Sequence, residues 1–167
     1  YLHHPRPLDA YKALVLPGSK NVRGDFEWLE RMGWRKEIEA FRARGGVIVG
    51  LCGGYQMLGE RIADPHGVEG APGASEGLGM LPVETVLERE KALCNSVGKL
   101  AGSSCVVSGY EIHMGRTTLA GGASPLIEVT ERNGVRSEDF DGVRSADGRV
   151  MGTYFHGFFD EPGVRAW

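Results

Sequence analysis

The junction at Cys52 constrains the fold of this chain more than any other feature. Val47 to Leu51 form a short apolar run, typical of a strand that is covered on both faces of a sheet. Gly53 and Gly54 follow the cysteine directly and allow the backbone to turn sharply into a helix. The sequence therefore predicts a cysteine above the edge of a sheet, at the end of a buried strand.

This setting suits a nucleophile. Backbone amides at the start of the following helix would favour the thiolate of Cys52, and the amide of Gly53 could stabilise an oxyanion. The alternative is that Cys52 is a small apolar residue that closes the sheet. Two glycines after the cysteine favour the catalytic interpretation, because both are poor helix formers.

Composition excludes several classes of protein. The chain has 167 residues, of which 41% are hydrophobic, which predicts a globular domain. Its net charge is −3 and its Lys and Arg residues are scattered, so we expect no nucleic-acid partner. No apolar run approaches the roughly 20 residues needed to span a bilayer, and no signal peptide is evident, so we expect a cytoplasmic protein without a membrane partner. Cys52, Cys94 and Cys105 predict reduced thiols and no metal site.

The first half reads as alternating strands and helices. Residues 13–16 form a buried-type strand, 25–44 a helix broken near Gly33, 47–51 a strand and 54–62 a helix. This order predicts a parallel sheet with right-handed crossovers, and ligands of such sheets bind beyond the carboxyl ends of the strands.

The second half reads as mostly strands after an exposed loop over 63–79. Further strands are predicted at residues 81–87, 104–112, 126–131 and 149–155. Hairpin turns are expected at Asn133-Gly134 and Asp147-Gly148, and 94–103 reads as a weakly structured linker. We expect a single domain over 1–167 that begins inside a larger polypeptide, because residues 1–10 lack a strand pattern.

A base for Cys52 must come from the five histidines. His156 follows an apolar strand, so it should lie at the same sheet edge as Cys52; the alternative is a histidine buried against a backbone carbonyl. His113 is a second candidate base or a pocket-lining residue. Phe158 occupies the position where an acid would orient the imidazole, so we expect a dyad, with Asp160 and Glu161 as nearby acids that could substitute.

The loop after the first strand reads Pro17-Gly18-Ser19-Lys20. It lacks the phosphate-binding pattern G-x-x-x-x-G-K-[ST]. Its position suits a backbone amide of Gly18 or Ser19 as a second oxyanion donor opposite Gly53, although a plain strand-to-helix turn fits the spacing equally well.

Four motifs in order resemble one family across nearly the whole chain. They are Leu-Pro-Gly-Ser-Lys-Asn at 16–21, Gly-Leu-Cys-Gly-Gly-Tyr-Gln-Met-Leu-Gly at 50–59, Gly-Tyr-Glu-Ile-His-Met-Gly at 109–115 and Gly-Thr-Tyr-Phe-His-Gly at 152–157. Together they resemble the class I glutamine amidotransferase domain of cobyric acid synthases. The resemblance implies an α/β, flavodoxin-like open sheet, mostly parallel, flanked by helices and extended by antiparallel strands. It also implies that the first strand and an N-terminal ATP-dependent synthetase domain lie outside this chain.

The resemblance assigns roles to individual residues. Cys52 would attack the side-chain amide of glutamine to form a thioester, and His156 would protonate the departing ammonia. Gln56 would hold the amino-acid end of glutamine, and Tyr110, Glu111 and His113 would line the substrate site.

The resemblance also implies partners. No cofactor is expected in this domain, whereas the synthetase domain would use ATP and Mg²⁺ to amidate corrinoid carboxylates with the ammonia. The alternatives are the corresponding domain of cobyrinic acid a,c-diamide synthase, a cysteine hydrolase or peptidase on a similar fold, and a domain that docks without catalysis.

Overall fold

The computed structural model describes residues 2–121 and 123–166, so Tyr1, Gly122 and Trp167 lie outside the described residues. Four helices are present in the described part: α1 (Val22–Met32), α2 (Trp34–Ala43), α3 (Gly53–Leu58) and α4 (Pro162–Ala166). The strands are β1 (Ala13–Leu16), β2 (Val47–Leu51), β3 (Arg61–Asp64), β4 (Gly73–Glu76), β5 (Val83–Leu100), β6 (Val106–Leu119), β7 (Ser124–Arg132), β8 (Val135–Arg144), β9 (Val150–Thr153) and β10 (Phe155–His156). No helix in this part of the chain is long and apolar enough to cross a membrane.

One open sheet contains all the described strands. Its order is β1-β2-β9-β8-β7-β5-β3-β4, with β6 paired to β5 and β10. The parallel strands β1, β2 and β9 carry the sheet edge on which Cys52 lies. The predicted α/β open sheet with flanking helices and added antiparallel strands is confirmed, and six of the nine pairings among the described residues are antiparallel.

Strand β2 is buried on both faces, as its apolar sequence predicts. Ile48 belongs to the core formed with helices α1, α2 and α3. Its neighbour Val49 belongs to a second core formed with β7, β10 and α4. Successive side chains of a strand point to opposite faces, so β2 runs between two apolar layers and ends at Cys52.

Several predicted boundaries are confirmed. Strands 13–16 and 47–51 and the turns at 133–134 and 147–148 lie where the sequence predicts them. The long helix breaks at Gly33, whose φ of 86° places it in the left-handed region that favours glycine.

Other boundaries are wrong. The helix predicted to reach 62 ends at Leu58, and the predicted loop over 63–79 contains the end of β3 and all of β4. The segment 94–103, predicted as a linker, lies mostly in β5, which pairs with both β6 and β7. Strand β8 was not predicted, because its sequence is rich in exposed charged residues and lacks the apolar alternation of a half-buried strand.

Candidate active site

Cys52 occupies a strained turn between β2 and α3. Its φ of 51° and ψ of −112° lie outside the regions that side chains normally occupy. Its backbone N–H donates to the carbonyl oxygen of Thr153 at 2.9 Å. A Cβ on Gly54 would overlap the carbonyl oxygen of Leu16, so the turn requires glycine at that position. The elbow predicted from the sequence is therefore present in the structure.

The loop after β1 lies against this elbow. A Cβ placed on Gly18 would lie 3.6 Å from Cys52 Cβ and 3.6 Å from His156 Cε1, so both side chains border the space beside Gly18. A Cβ on Gly53 would lie 2.8 Å from the backbone nitrogen of Ser19. The Ser19 hydroxyl donates to Asp25 at 2.5 Å and accepts from the Asn21 N–H at 3.0 Å, so it is held by partners within the loop and the start of α1.

His156 lies beside Gly18, on the short strand β10. Its ring stacks on Tyr110, with centroids 4.8 Å apart and an angle of 7° between the planes. Its Nε2 is buried and has no hydrogen-bond partner in the described part of the chain. The Cys52 thiol donates instead to the carbonyl oxygen of Ile112 at 3.4 Å. The structure thus brings the two residues together without a hydrogen bond between them.

Burial sets the charge of both side chains. Burial raises the pKa of the Cys52 thiol, and the hydrogen bond from the Gly53 amide partly opposes this rise. The negative charges of Glu69 and Asp141 raise the pKa of the thiol further. Burial lowers the pKa of His156, and the neighbouring His113 lowers it further. The resting pair is therefore a neutral thiol and a neutral imidazole, which suits general-base activation of the sulfur.

The nearby acids do not orient this imidazole. Glu161 accepts a hydrogen bond from Ser108 at 2.8 Å, and Asp160 lies beside Gly157. Neither is hydrogen-bonded to His156 within the residues described. Phe158 is buried in the second core. The contact that fixes the imidazole is the stack on Tyr110.

The predicted substrate residues lie on α3 and β6. The side chain of Gln56 is only 2% exposed, and its amide nitrogen donates to the Met114 carbonyl at 3.2 Å and the Tyr154 hydroxyl at 3.0 Å. His113 stacks on the Tyr154 ring with centroids 3.7 Å apart. Tyr110 is 46% exposed, so its ring is open to solvent beside His156.

Glu111 belongs to a charged cluster instead of facing the cysteine. It accepts hydrogen bonds from Ser96 at 2.5 Å and from Arg132 at 3.0 Å. Burial alone would raise the pKa of Glu111, but His113, Ser96 and Arg132 together lower it to about 2. The carboxylate is thus ionised and held by protein groups.

A polar cavity of about 550 Å³ lies on the Glu111 side of β6. Its lining includes Tyr55, His113, Arg116, Arg132, Asp141 and Tyr154. Sequence reasoning missed Asp141 and Tyr154 as site residues, although Tyr154 stands two residues before His156 in a motif that the sequence analysis singled out. No group of three or more His, Cys, Asp or Glu residues within 2–121 and 123–166 is arranged to hold a metal ion.

Solved structures define the class of fold. The structure titled "Crystal structure of glutamine amidotransferase" matches 95% of this chain and 77% of its own chain, with a TM-score of 0.63 and 19% identity. PurLQS from Thermotoga maritima matches 98% of this chain and 81% of its own, with a TM-score of 0.69 and 18% identity. The chain therefore has the fold seen in glutamine amidotransferases.

The sequence comparison identifies the family. The profile of the CobB/CobQ-like glutamine amidotransferase domain matches residues 1–164, and this chain belongs to that family. It is 78% identical over 167 residues to the cobyric acid synthase of Chlorobaculum tepidum and 61% identical to that of Chlorobium chlorochromatii. In both cases the match covers 100% of this chain and 33% of the relative. The chain thus spans about a third of the length of these relatives.

Proposed function

We propose that this chain is the glutamine-hydrolysing domain of a cobyric acid synthase. Its family membership and the name of its relatives support this assignment. The observation that carries it is the placement of Cys52 in a strained elbow, with His156, whose Nε2 has no partner among the described residues, bordering the same space beside Gly18.

The reaction begins at the thiol. His156 takes the proton of Cys52 as the sulfur attacks the side-chain amide carbon of glutamine, and the amides of Gly53 and of Gly18 or Ser19 stabilise the resulting oxyanion. Collapse of the tetrahedral intermediate breaks the carbon–nitrogen bond, and the imidazolium returns its proton to the leaving ammonia. Water, deprotonated by His156, then hydrolyses the γ-glutamyl thioester to glutamate and restores the thiol.

The substrate residues have two kinds of role in this proposal. Tyr110 is open to solvent and contacts glutamine directly, while its ring fixes the orientation of His156. His113 lines the site beside Tyr154. Gln56 and Glu111 are held by protein groups, and they support the walls that contact the amino-acid end of glutamine.

The ammonia is used outside this domain. We infer that the remaining two thirds of a synthase like the relatives use ATP and Mg²⁺ to activate corrinoid carboxylates, which the ammonia converts to amides in the cytoplasm. This domain itself needs no cofactor for the thioester chemistry, and neither nucleic acid nor a membrane has a part in it. The relatives' name favours cobyric acid synthase over cobyrinic acid a,c-diamide synthase.

The open edge of the sheet supports the same domain organisation. Strand β1 ends the sheet order and pairs with β2 alone among the described strands. Apolar cavities of about 340 Å³ and 720 Å³ flank β1 on its two faces. We infer that a strand from the preceding part of a longer synthase pairs with this edge and that its flanking residues fill the cavities.

Glutamate release from glutamine tests the proposed activity. The purified chain, alone and with the synthetase portion supplied in trans, should release glutamate. Cys52→Ala and His156→Ala should each reduce the rate by at least about a hundredfold, since general-base catalysis alone supplies about 10²–10⁴.

Cys94→Ala is the matched control, because Cys94 is also a free thiol but lies in β5, and it should leave the rate unchanged. Equal rates for Cys52→Ala and the unmodified chain would disprove the proposed nucleophile. Release of free amino acids from peptides, without glutamine hydrolysis, would instead favour a peptidase.

A further inference from the structure

Asp141 is a buried carboxylate whose hydrogen bonds all go to the strand end that leads to His156. Its side chain lies near the end of β8 and is 5% exposed. It accepts a short hydrogen bond from the Thr153 hydroxyl. It also accepts from the backbone N–H of Tyr154, whose nitrogen lies 3.2 Å and 3.3 Å from the two carboxylate oxygens.

These bonds fix the corner between β9 and β10. The Thr153 hydroxyl oxygen accepts a further hydrogen bond from the Phe155 N–H at 3.0 Å. Asp141 and Thr153 therefore satisfy three donors at a corner where the β-ladder is interrupted. A buried donor without a partner costs about 1–3 kcal/mol, so the corner depends on this arrangement.

Both members of the proposed dyad are connected to this corner. The carbonyl oxygen of Thr153 accepts the backbone N–H of Cys52 at 2.9 Å, and His156 follows Phe155 directly on β10. A shift of the corner would thus move the sulfur and the imidazole relative to each other. A misplacement of about 1 Å can reduce an enzymatic rate by about a hundredfold.

The local backbone leaves little room for another arrangement. Gly142 has a φ of 67°, and a Cβ on it would overlap the carbonyl oxygen of Gly152. The β8 backbone is therefore in direct contact with β9 beside the corner. The left-handed residue turns the chain so that Asp141 faces the strand end.

Burial of the Asp141 carboxylate costs free energy. Burial raises the pKa of Asp141 to about 7, and the nearby charge of Glu111 acts in the same direction. The hydrogen bonds from Thr153 and Tyr154 oppose this rise. No cation forms a salt bridge with it within the described ranges. Groups that are buried at such a cost occur preferentially at functional sites.

We propose that Asp141 is a positioning residue for glutamine hydrolysis, which holds the Thr153–Phe155 corner and thereby sets the geometry of Cys52 and His156. This inference rests on the proposed function. Asp141 does not contact the sulfur or the imidazole, so it acts through the corner and should affect turnover more than substrate binding.

Four variants test this role by kcat and KM for glutamine. Asp141→Ala should lower kcat by about 10- to 100-fold and leave KM within about threefold, because the pairing of β6 with β5 holds Tyr110 and His113 independently of the corner. Asp141→Asn keeps an acceptor oxygen for both donors and should restore kcat to within about threefold. Thr153→Val removes the hydroxyl at similar volume and should resemble Asp141→Ala. Glu138→Ala is the matched control, because Glu138 is an exposed carboxylate of the same strand that pairs with the exposed Arg136.

A second readout does not require glutamine turnover. The rate of Cys52 alkylation by iodoacetamide, measured against pH, reports the thiol and its coupled base. Thr153→Val keeps the Asp141 carboxylate and should shift the inflection of this profile relative to the unmodified chain, whereas Glu138→Ala should not.

The outcomes separate the two proposals. Absence of glutaminase activity in the unmodified chain would disprove the proposed function. The positioning role would be overturned by a different result. In that case the unmodified chain is active, and Asp141→Ala or Thr153→Val is folded, has a kcat within twofold of the unmodified chain and shows an unshifted alkylation profile. If Asp141→Ala does not fold, Thr153→Val decides the question.

Discussion

The backbone of Cys52 is held in a conformation that costs energy, and glycines nearby make it attainable. Its φ is 51°, and residues in such regions cost about 1–3 kcal/mol and persist only where the surroundings impose the conformation. Here the surroundings are the Thr153 carbonyl, which binds the Cys52 N–H, and the close approach of α3 to β1 at Gly54.

Gly54→Ala tests this close approach. The added methyl group would overlap the carbonyl oxygen of Leu16, which is backbone and cannot rotate away. We expect a loss of about 1–3 kcal/mol in the free energy of unfolding, as for other overpacked cores, measured by urea denaturation. Gly121→Ala is the control, since a Cβ there would meet nothing within 4 Å, and an equal loss in both variants would contradict this explanation.

At the residue scale the sequence predicts the groups that end strands, but not their partners. Cys52 and His156 each follow an apolar run, so their positions could be inferred from the pattern alone. Asp141 could not be inferred, because it lies in a charged segment and becomes buried only when β8 packs against β9. Gln56 was predicted from a resemblance, and its hydrogen bond to Tyr154 depends on contacts between elements distant in the sequence.

At the element scale a charged cluster joins three strands. Glu111 on β6 binds Arg132 on β7 at 3.0 Å, and Arg132 binds Asp139 on β8 at 2.7 Å. The three strands are otherwise linked in series through β5 and the turn at 133–134. The cluster therefore adds a direct connection between β6 and β7, which do not pair with each other.

The stabilising effect of Glu111 should depend on pH in a defined direction. Its pKa is lowered from 4.5 in the unfolded chain to about 2 in the folded protein, by hydrogen bonds that outweigh burial. The folded state therefore binds the proton less tightly, so this contribution is present above pH 4.5 and is lost as the pH falls toward 2. We expect the difference in unfolding free energy between the unmodified chain and Glu111→Gln to shrink over that range.

Urea denaturation at several pH values between 5 and 2 measures this difference. Glu138→Gln is the matched control, because Glu138 forms an exposed pair with Arg136, and exposed pairs contribute little. A constant difference between the unmodified chain and Glu111→Gln across this range would contradict the assignment.

The elements predicted correctly are those whose burial is visible in the sequence. Strands β1 and β2 are short apolar runs, and α1 and α2 have one apolar face each. Strand β5 continues through residues 94–99, which the sequence predicts as a linker, because pairing with β6 and β7 keeps the backbone extended there. Single-sequence patterns cannot reveal such strands, because their partners are distant in the chain.

At the scale of the whole molecule the sheet has an apolar edge. Val15 in the middle of β1 is 44% exposed, and apolar cavities lie on both faces of this strand. An open edge of this kind is a template for pairing with another strand. The matching part of the relatives is their C-terminal third, so residues precede it in those proteins.

Extending the chain should therefore stabilise it. Fusion of the segment that immediately precedes the matching part in the Chlorobaculum tepidum synthase should raise the midpoint of thermal unfolding by several degrees, since about 1 kcal/mol corresponds to about 2–4 °C in a domain of this size. A scrambled segment of the same composition is the control. An equal midpoint for the two fusions would argue against pairing at β1.

Cys52 and His156 follow the ends of two paired strands, β2 and β9, and this has a mechanical consequence. Leu51 is in register with Thr153 in the parallel pair β2 and β9, and parallel neighbours lie about 4.8 Å apart. The two strand ends that lead to Cys52 and to His156 are thus held apart by the spacing of a hydrogen-bonded ladder. A slip by one residue would turn every side chain to the opposite face, so these strand ends cannot drift gradually. The short segments that carry the sulfur and the imidazole therefore start from positions fixed to the mechanical tolerance of a β-sheet and not to that of a loop.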